Sequence, residues 1–169
     1  MLAVRVQIVG SDEAALSASA RALVREYLTS VYGEIEGCRM REQEAALLLD
    51  MASTRASQVA LSVHPVEGPV GVLVMHRYEG LNQLCAGYVR QRHRGRGLAE
   101  AMSRALLEHA ALLGIDQVFT VAAEKSPLDV ALRSHGLEPS GPPPDGEPGH
   151  LRFDLPVPVR HTSAAPGTR

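Results

Sequence analysis

Four arginines fall within seven residues, at Arg90, Arg92, Arg94 and Arg96, with Gly95 and Gly97 set among them. Before them, Leu84 to Val89 (LCAGYV) reads as the end of a strand. After them, Leu98, Ala101, Met102, Ala105, Leu106, Leu112 and Leu113 keep the spacing of one buried helical stripe. Gly114 is placed to end that helix in the left-handed conformation. A strand, a basic glycine-rich turn and a helix start together can build an anion site. The unpaired N–H groups of the first helical turn face outward with the positive end of the helix dipole behind them, and glycines let a phosphate approach the backbone.

Spacing separates the families that share this physics. A nucleotide-hydrolase phosphate loop needs a Gly-Lys-Ser/Thr ending, which is missing. A dinucleotide fingerprint needs three glycines and usually follows a first strand, whereas this loop has two and lies past mid-chain. The pattern Arg/Gln-x-x-Gly-x-Gly/Ala fits Arg94-Gly95-Arg96-Gly97-Leu98-Ala99, and also fits Arg92 to Gly97. The later frame is preferred because it leaves Val89 five residues before the arginine. The alternative is an ordinary strand-to-helix turn with solvated arginines. With its flanking strand and helix, the stretch resembles the acyl-CoA pyrophosphate loop of the GNAT N-acetyltransferase family.

The elements that must position this loop follow in chain order. Val4 to Val9 alternates apolar and polar residues as a half-buried strand. Ser11 caps an expected helix marked by Leu16, Ala20, Leu23, Val24, Tyr27, Leu28 and Val31, and a second helix is expected over residues 41–52. Strands are expected over 58–63, 71–78 and 81–89, joined by short turns as an antiparallel meander. The helix over 97–113 then crosses to a strand over 117–123, a right-handed connection to a parallel neighbour. Ser126-Pro127 starts a short helix with an apolar stripe of Leu128, Ala131 and Leu132, ended by Gly136. Residues 140–149 form a polar, proline-rich connector to a last strand over 150–155.

Composition narrows the partners. At 169 residues, 45% apolar and 21% charged, the chain has the profile of one globular domain, expected over 1–155 with a flexible tail over 156–169. A net charge of −2 offers no general attraction to nucleic acid or membrane. The charge concentrated at 90–96 suits a small polyanion, and two phenylalanines with no tryptophan make no stacking platform for bases. Cys38 and Cys85 have no metal or redox spacing, and no metal site is expected. No leader pattern and no membrane-length apolar run is seen, so a cytoplasmic setting is expected.

The resemblance implies an α/β (α+β) fold: a mixed, mostly antiparallel central sheet of about six or seven strands, flanked by about four helices. It implies acetyl-CoA as acyl donor and transfer of an acetyl group to a primary amine of a small molecule or protein. Carried onto this chain, the donor is met by Arg94, Gly95, Arg96, Gly97, Leu98 and Ala99 at the loop, and by Val89 with Tyr88 and Arg90 at the strand end. Ser126 could bond the pantetheine arm or cap its helix; Arg92 could meet a phosphate or face solvent, as His93 is expected to. The stretch from Ala131 to Pro139 resembles the family's closing motif, but Leu132 stands where the family's acid, a tyrosine, is usual. Strand 81–89 carries Asn82 and Gln83 in place of a carboxylate base, leaving His76 and Glu79 as candidate catalytic residues. Those departures admit a second reading, an acyl-CoA-binding domain with weak or no turnover. The resemblance also admits a homodimer through edge strands.

Overall fold

The computed structural model describes residues 4–9, 22–23, 26, 57–78 and 80–159. Six strands form one sheet in sequential order: β1 (Arg5–Val9), β2 (Ser57–His64), β3 (Gly68–Tyr78), β4 (Leu81–Val89), β5 (Val118–Ala123) and β6 (His150–Leu155). Every neighbouring pair is antiparallel except β4 with β5, which is parallel. A 3-10 turn, Gln91–His93, and helix α1, Leu98–Leu112, connect those two strands; helix α2, Pro127–Ser134, follows β5. The described residues thus hold two α-helices, against the roughly four expected. The helices expected over 11–31 and 41–52 lie outside the described residues, apart from Ala22, Leu23 and Glu26, which are helical.

Helix α1 packs on one face of the sheet. Met102, Leu106 and Ala110 are buried against Ala60, Met75, Leu84 and Val118. Close approach is possible because Gly71 stands under the helix: a Cβ there would come within 3.1 Å of Met102 Cε and 3.2 Å of Ser62 Cβ. The expected stripe is corrected at its end, where Leu112 and Leu113 are 57% and 53% exposed. Leu112 falls off the line through Met102, Leu106 and Ala110, and Leu113 stands where the chain turns back through Gly114. Ile115, whose N–H bonds to the Ala110 carbonyl oxygen, packs on the core in their stead.

Helix α2 is held differently from the expected apolar stripe. Leu128 is 46% exposed, Ala131 is exposed and Leu132 is half-buried; the buried residue is Asp129. An eight-residue helix gains little from propensity alone. Its start is fixed by a reciprocal cap: Ser126 Oγ accepts from Asp129 N–H at 3.2 Å, and Asp129 Oδ2 accepts from Lys125 N–H at 2.8 Å. The Lys125 N–H first, and Arg133 beside the carboxylate second, hold Asp129 below its usual pKa.

Two features position the site. The β4–β5 register contains only Gln83 with Phe119 and Leu84 with Thr120, while β5 pairs with β6 along all six of its residues. Past Leu84, none of the residues of β4 up to Val89 is in register with β5. The register of β3 with β4 slips between Val74 and Met75, leaving Cys85 as an extra residue on β4, a β-bulge directly after Leu84.

Candidate functional site: an anion cradle beside a split in the sheet

The far end of β4 leads directly into the arginine turn. Arg90 N–H bonds to the Val70 carbonyl oxygen at 2.9 Å, keeping the chain in line with the sheet for one more residue. The 3-10 turn follows, closed by His93 N–H to Arg90 O at 2.8 Å. Gly95 and Gly97 then both take left-handed backbone, with φ of +69° and +71°, and Gly97 is the residue that caps α1. Such conformations are cheap only for glycine. The first α1 bond is Ala101 N–H to Gly97 O. No backbone carbonyl among the described residues accepts from the N–H groups of Gly95, Arg96 or Gly97. With the first N–H groups of α1, beginning at Leu98 and Ala99, they are backbone donors at the positive end of a helix, the kind of group that binds an anion.

The four arginines divide unequally. Arg90 Nε pairs with Glu26 at 2.9 Å, and Arg92 Nη2 pairs with Glu67. Arg94 Nε donates to the Val89 carbonyl oxygen at 2.9 Å, its guanidinium 5.7 Å from the Tyr88 ring centre. Arg96 is exposed and has no ion-pair or hydrogen-bond partner among the described residues. Arg96 is thus the one arginine of this turn whose charge is uncommitted among the described residues.

One expected residue is placed differently from what its sequence neighbourhood suggested. His93 is 4% exposed, not solvent-facing, and its Nε2 lies 3.1 Å from Glu67 Oε2. That bond, assisted by Arg92, holds Glu67 below its usual pKa. Tyr88 is 9% exposed, and its hydroxyl donates to Glu26 Oε1 at 3.0 Å. Burial first, and that carboxylate second, push the phenol pKa up. Ser126 takes one of its two expected roles, the cap of α2. Asn82 Nδ2 donates to the Gln117 carbonyl oxygen at 3.2 Å.

The two catalytic candidates fare unequally. His76 lies on β3, opposite Gln83 of β4. Met75 belongs to the core under α1, so His76, next along the strand, faces the other side of the sheet. Burial lowers its pKa from 6.5. Glu79 lies outside the described residues. Sequence reasoning missed Glu26, Glu67, Thr120 and the bulge at Cys85. Glu26 and Glu67 are ordinary surface-type acids whose role depends on distant partners, and no local signal marks them.

Among the described residues, no group of three or more His, Cys, Asp or Glu side chains could hold a metal ion. No helix of these residues is long and apolar enough to cross a membrane.

No protein-family model matches the chain, and no curated protein matches it significantly by sequence. Solved structures do match it. An acetyltransferase of the GNAT family from Staphylococcus aureus superposes with a TM-score of 0.68 at 13% identity, over 91% of this chain and 100% of that one. An acetyltransferase from Thermus thermophilus gives 0.61 at 20% identity, over 93% and 100%. The PaiA N-acetyltransferase of Thermoplasma acidophilum, solved in complex with coenzyme A, gives 0.62 at 8% identity, over 92% and 99%. At such identities the likeness is one of fold, and on that ground the chain has the architecture of the GNAT acetyltransferases.

Proposed function

We propose that the protein is an acyl-CoA-dependent N-acyltransferase that moves an acetyl group from acetyl-CoA to a primary amine. The observation that carries this reading is the continuity of two binding features. The part of β4 beyond Leu84, which β5 no longer pairs in register, runs straight into the paired left-handed glycines at the start of α1. A ligand with a pyrophosphate at one end and an amide-containing arm at the other fits that arrangement. The arm lies along β4 in the gap that β5 leaves, and the pyrophosphate meets the cradle. Arg96 supplies charge there, and Gly95, Gly97, Leu98 and Ala99 supply backbone donors. Tyr88, Val89, Arg90 and Arg94 shape the passage between the two.

In the reaction, the amine nitrogen bonds to the thioester carbonyl carbon, the carbon–sulfur bond breaks, and the thiolate leaves. The amine must first lose its ammonium proton. His76, kept neutral by burial, can accept a proton at physiological pH, and Glu79 is the second candidate for that role. The β4 backbone beyond the Cys85 bulge, where the chain is no longer in register with β5, is a candidate donor to the thioester oxygen.

A specific observation favours a second reading, an acyl-CoA-binding domain with little turnover. Leu132 carries no proton to give the leaving thiolate, and the Asn82 side-chain nitrogen of β4 is occupied by the Gln117 carbonyl. Calorimetric titration with acetyl-CoA, free CoA and desulfo-CoA, followed by a thiol-release assay over a panel of amines, tests both. Micromolar binding of all three with thiol release supports the transferase, and binding without release supports the second reading. No binding at any ionic strength removes both. A homodimer through an edge strand and a cytoplasmic site of action complete the proposal, to be tested by sedimentation and by localisation of a tagged chain.

A further inference from the structure

We infer that Thr120 of β5 is a positioning residue that sets the apex of the cleft between β4 and β5, and with it the peptide that opens the Cys85 bulge. The inference rests on the acyl-CoA reading above. Thr120 is 7% exposed, and its Oγ1 donates to the Leu84 carbonyl oxygen at 2.9 Å. Leu84 with Thr120 is the last registered pair before the strands part. A side-chain hydrogen bond therefore ties the two strands at the point where the ladder stops.

The bond reaches further than its own length. The Leu84 carbonyl and the Cys85 N–H are opposite ends of one planar trans peptide. Holding the oxygen toward β5 turns that N–H the other way and fixes the plane from which the bulge begins. Threonine suits this task because its β-branch restricts χ1, so the hydroxyl stays aimed. The anchor itself is rigid. Thr120 lies opposite Phe153 of β6, which is fully buried, and β5 is paired to β6 over its whole length. Beside the two registered pairs, this hydroxyl ties β4 to the β5–β6 pair at the fork itself, at the inner end of the groove where the thioester would sit. Pyrophosphate binding, at the opposite end of β4, does not depend on it.

The test compares acetyl-CoA with ADP, which carries the pyrophosphate and no pantetheine arm, by calorimetry with ADP measured in displacement. Thr120→Val removes the hydroxyl at constant shape, and Thr120→Ser keeps it. Expected is an acetyl-CoA affinity about tenfold weaker in the Val variant, with ADP unchanged and affinity restored in the Ser variant. Thr120→Ala gives the same readout should the Val variant misfold. Acetyl-CoA affinity equal to wild type in the Val and Ala variants overturns the inference, and so does equal weakening of both ligands, which would mean general loosening. Failure of the wild-type protein to bind either ligand overturns the acyl-CoA reading itself, and this inference with it.

Discussion

Arg94 Nε bonds to the carbonyl oxygen of Val89, so the residue that opens the glycine turn is tied back to the strand that delivers it. The bond closes a short ring of chain around the 3-10 turn. It spends Arg94 on the protein, as Glu26 and Glu67 spend Arg90 and Arg92. An arginine cluster that looks in one dimension like a diffuse positive patch is, among the described residues, a framed turn with one charge, that of Arg96, left without a partner.

Arg96 should therefore dominate the side-chain contribution to phosphate binding. Arg96→Ala is expected to weaken CoA binding by roughly ten- to a hundredfold, the range for a lost hydrogen bond to a charged group. Arg92→Ala, whose guanidinium already serves Glu67, should cost less. Calorimetry on both variants decides, and the reverse order would refute the division of labour.

Gly97 tests the cradle itself. A Cβ at Gly97 meets nothing within 4 Å, so a side chain there clashes with no neighbour. Its φ of +71° still makes any other residue strained, by about 1–2 kcal/mol. Gly97→Glu should remain folded, melt a few degrees lower and lose CoA binding, because it sets a carboxylate among the phosphate donors. Undiminished CoA affinity in that variant would remove the loop from the site.

The base assignment carries a pH signature. Burial lowers the His76 pKa from 6.5 in the folded protein, so the unfolded chain takes up the proton first. Stability should fall as pH drops through 6.5 and level off below the lower, folded pKa. If His76 is the base, kcat/KM should rise with pH through an apparent pKa below 6.5. His76→Gln should then flatten both dependences and reduce turnover about 10²- to 10⁴-fold. Full activity in His76→Gln leaves Glu79 as the candidate.

Leu132 probes the leaving-group step. Leu132→Tyr is expected to raise turnover without changing CoA affinity, since it returns a proton donor to a half-buried position on α2. Steady-state thiol release with a fixed amine measures it. An unchanged rate means that solvent protonates the thiolate or that no turnover exists to improve.

Ser126 separates a cap from a ligand. With its oxygen accepting from Asp129 N–H, Ser126→Ala should cost about 1 kcal/mol of stability. CoA affinity should change less than twofold. A large loss of affinity with an unchanged melting temperature would assign the hydroxyl to the pantetheine arm instead.

Much of the frame is readable from the amino-acid sequence, because its signals are local. The bounds expected for β4 and β6 agree with the observed strands, and Ser126-Pro127 and Gly136 bracket α2 as a cap and a left-handed stop do. The glycine turn is likewise visible from spacing alone, since left-handed backbone demands glycine at those positions. Tertiary structure decided the rest. Arg90 and Arg92 find carboxylates 64 and 25 residues away, a choice that depends on which elements the sheet brings alongside. His93 is buried by contact with the β2–β3 hairpin, although its immediate neighbours are all polar. The pattern LNQLCAGYV shows a strand but not its bulge, because register is a property of two strands together. For the same reason the split between β4 and β5, on which the proposed function stands, has no trace in either strand's own residues. It exists only where a fully paired β5 and a bulged β4 diverge, with one threonine hydroxyl at the fork.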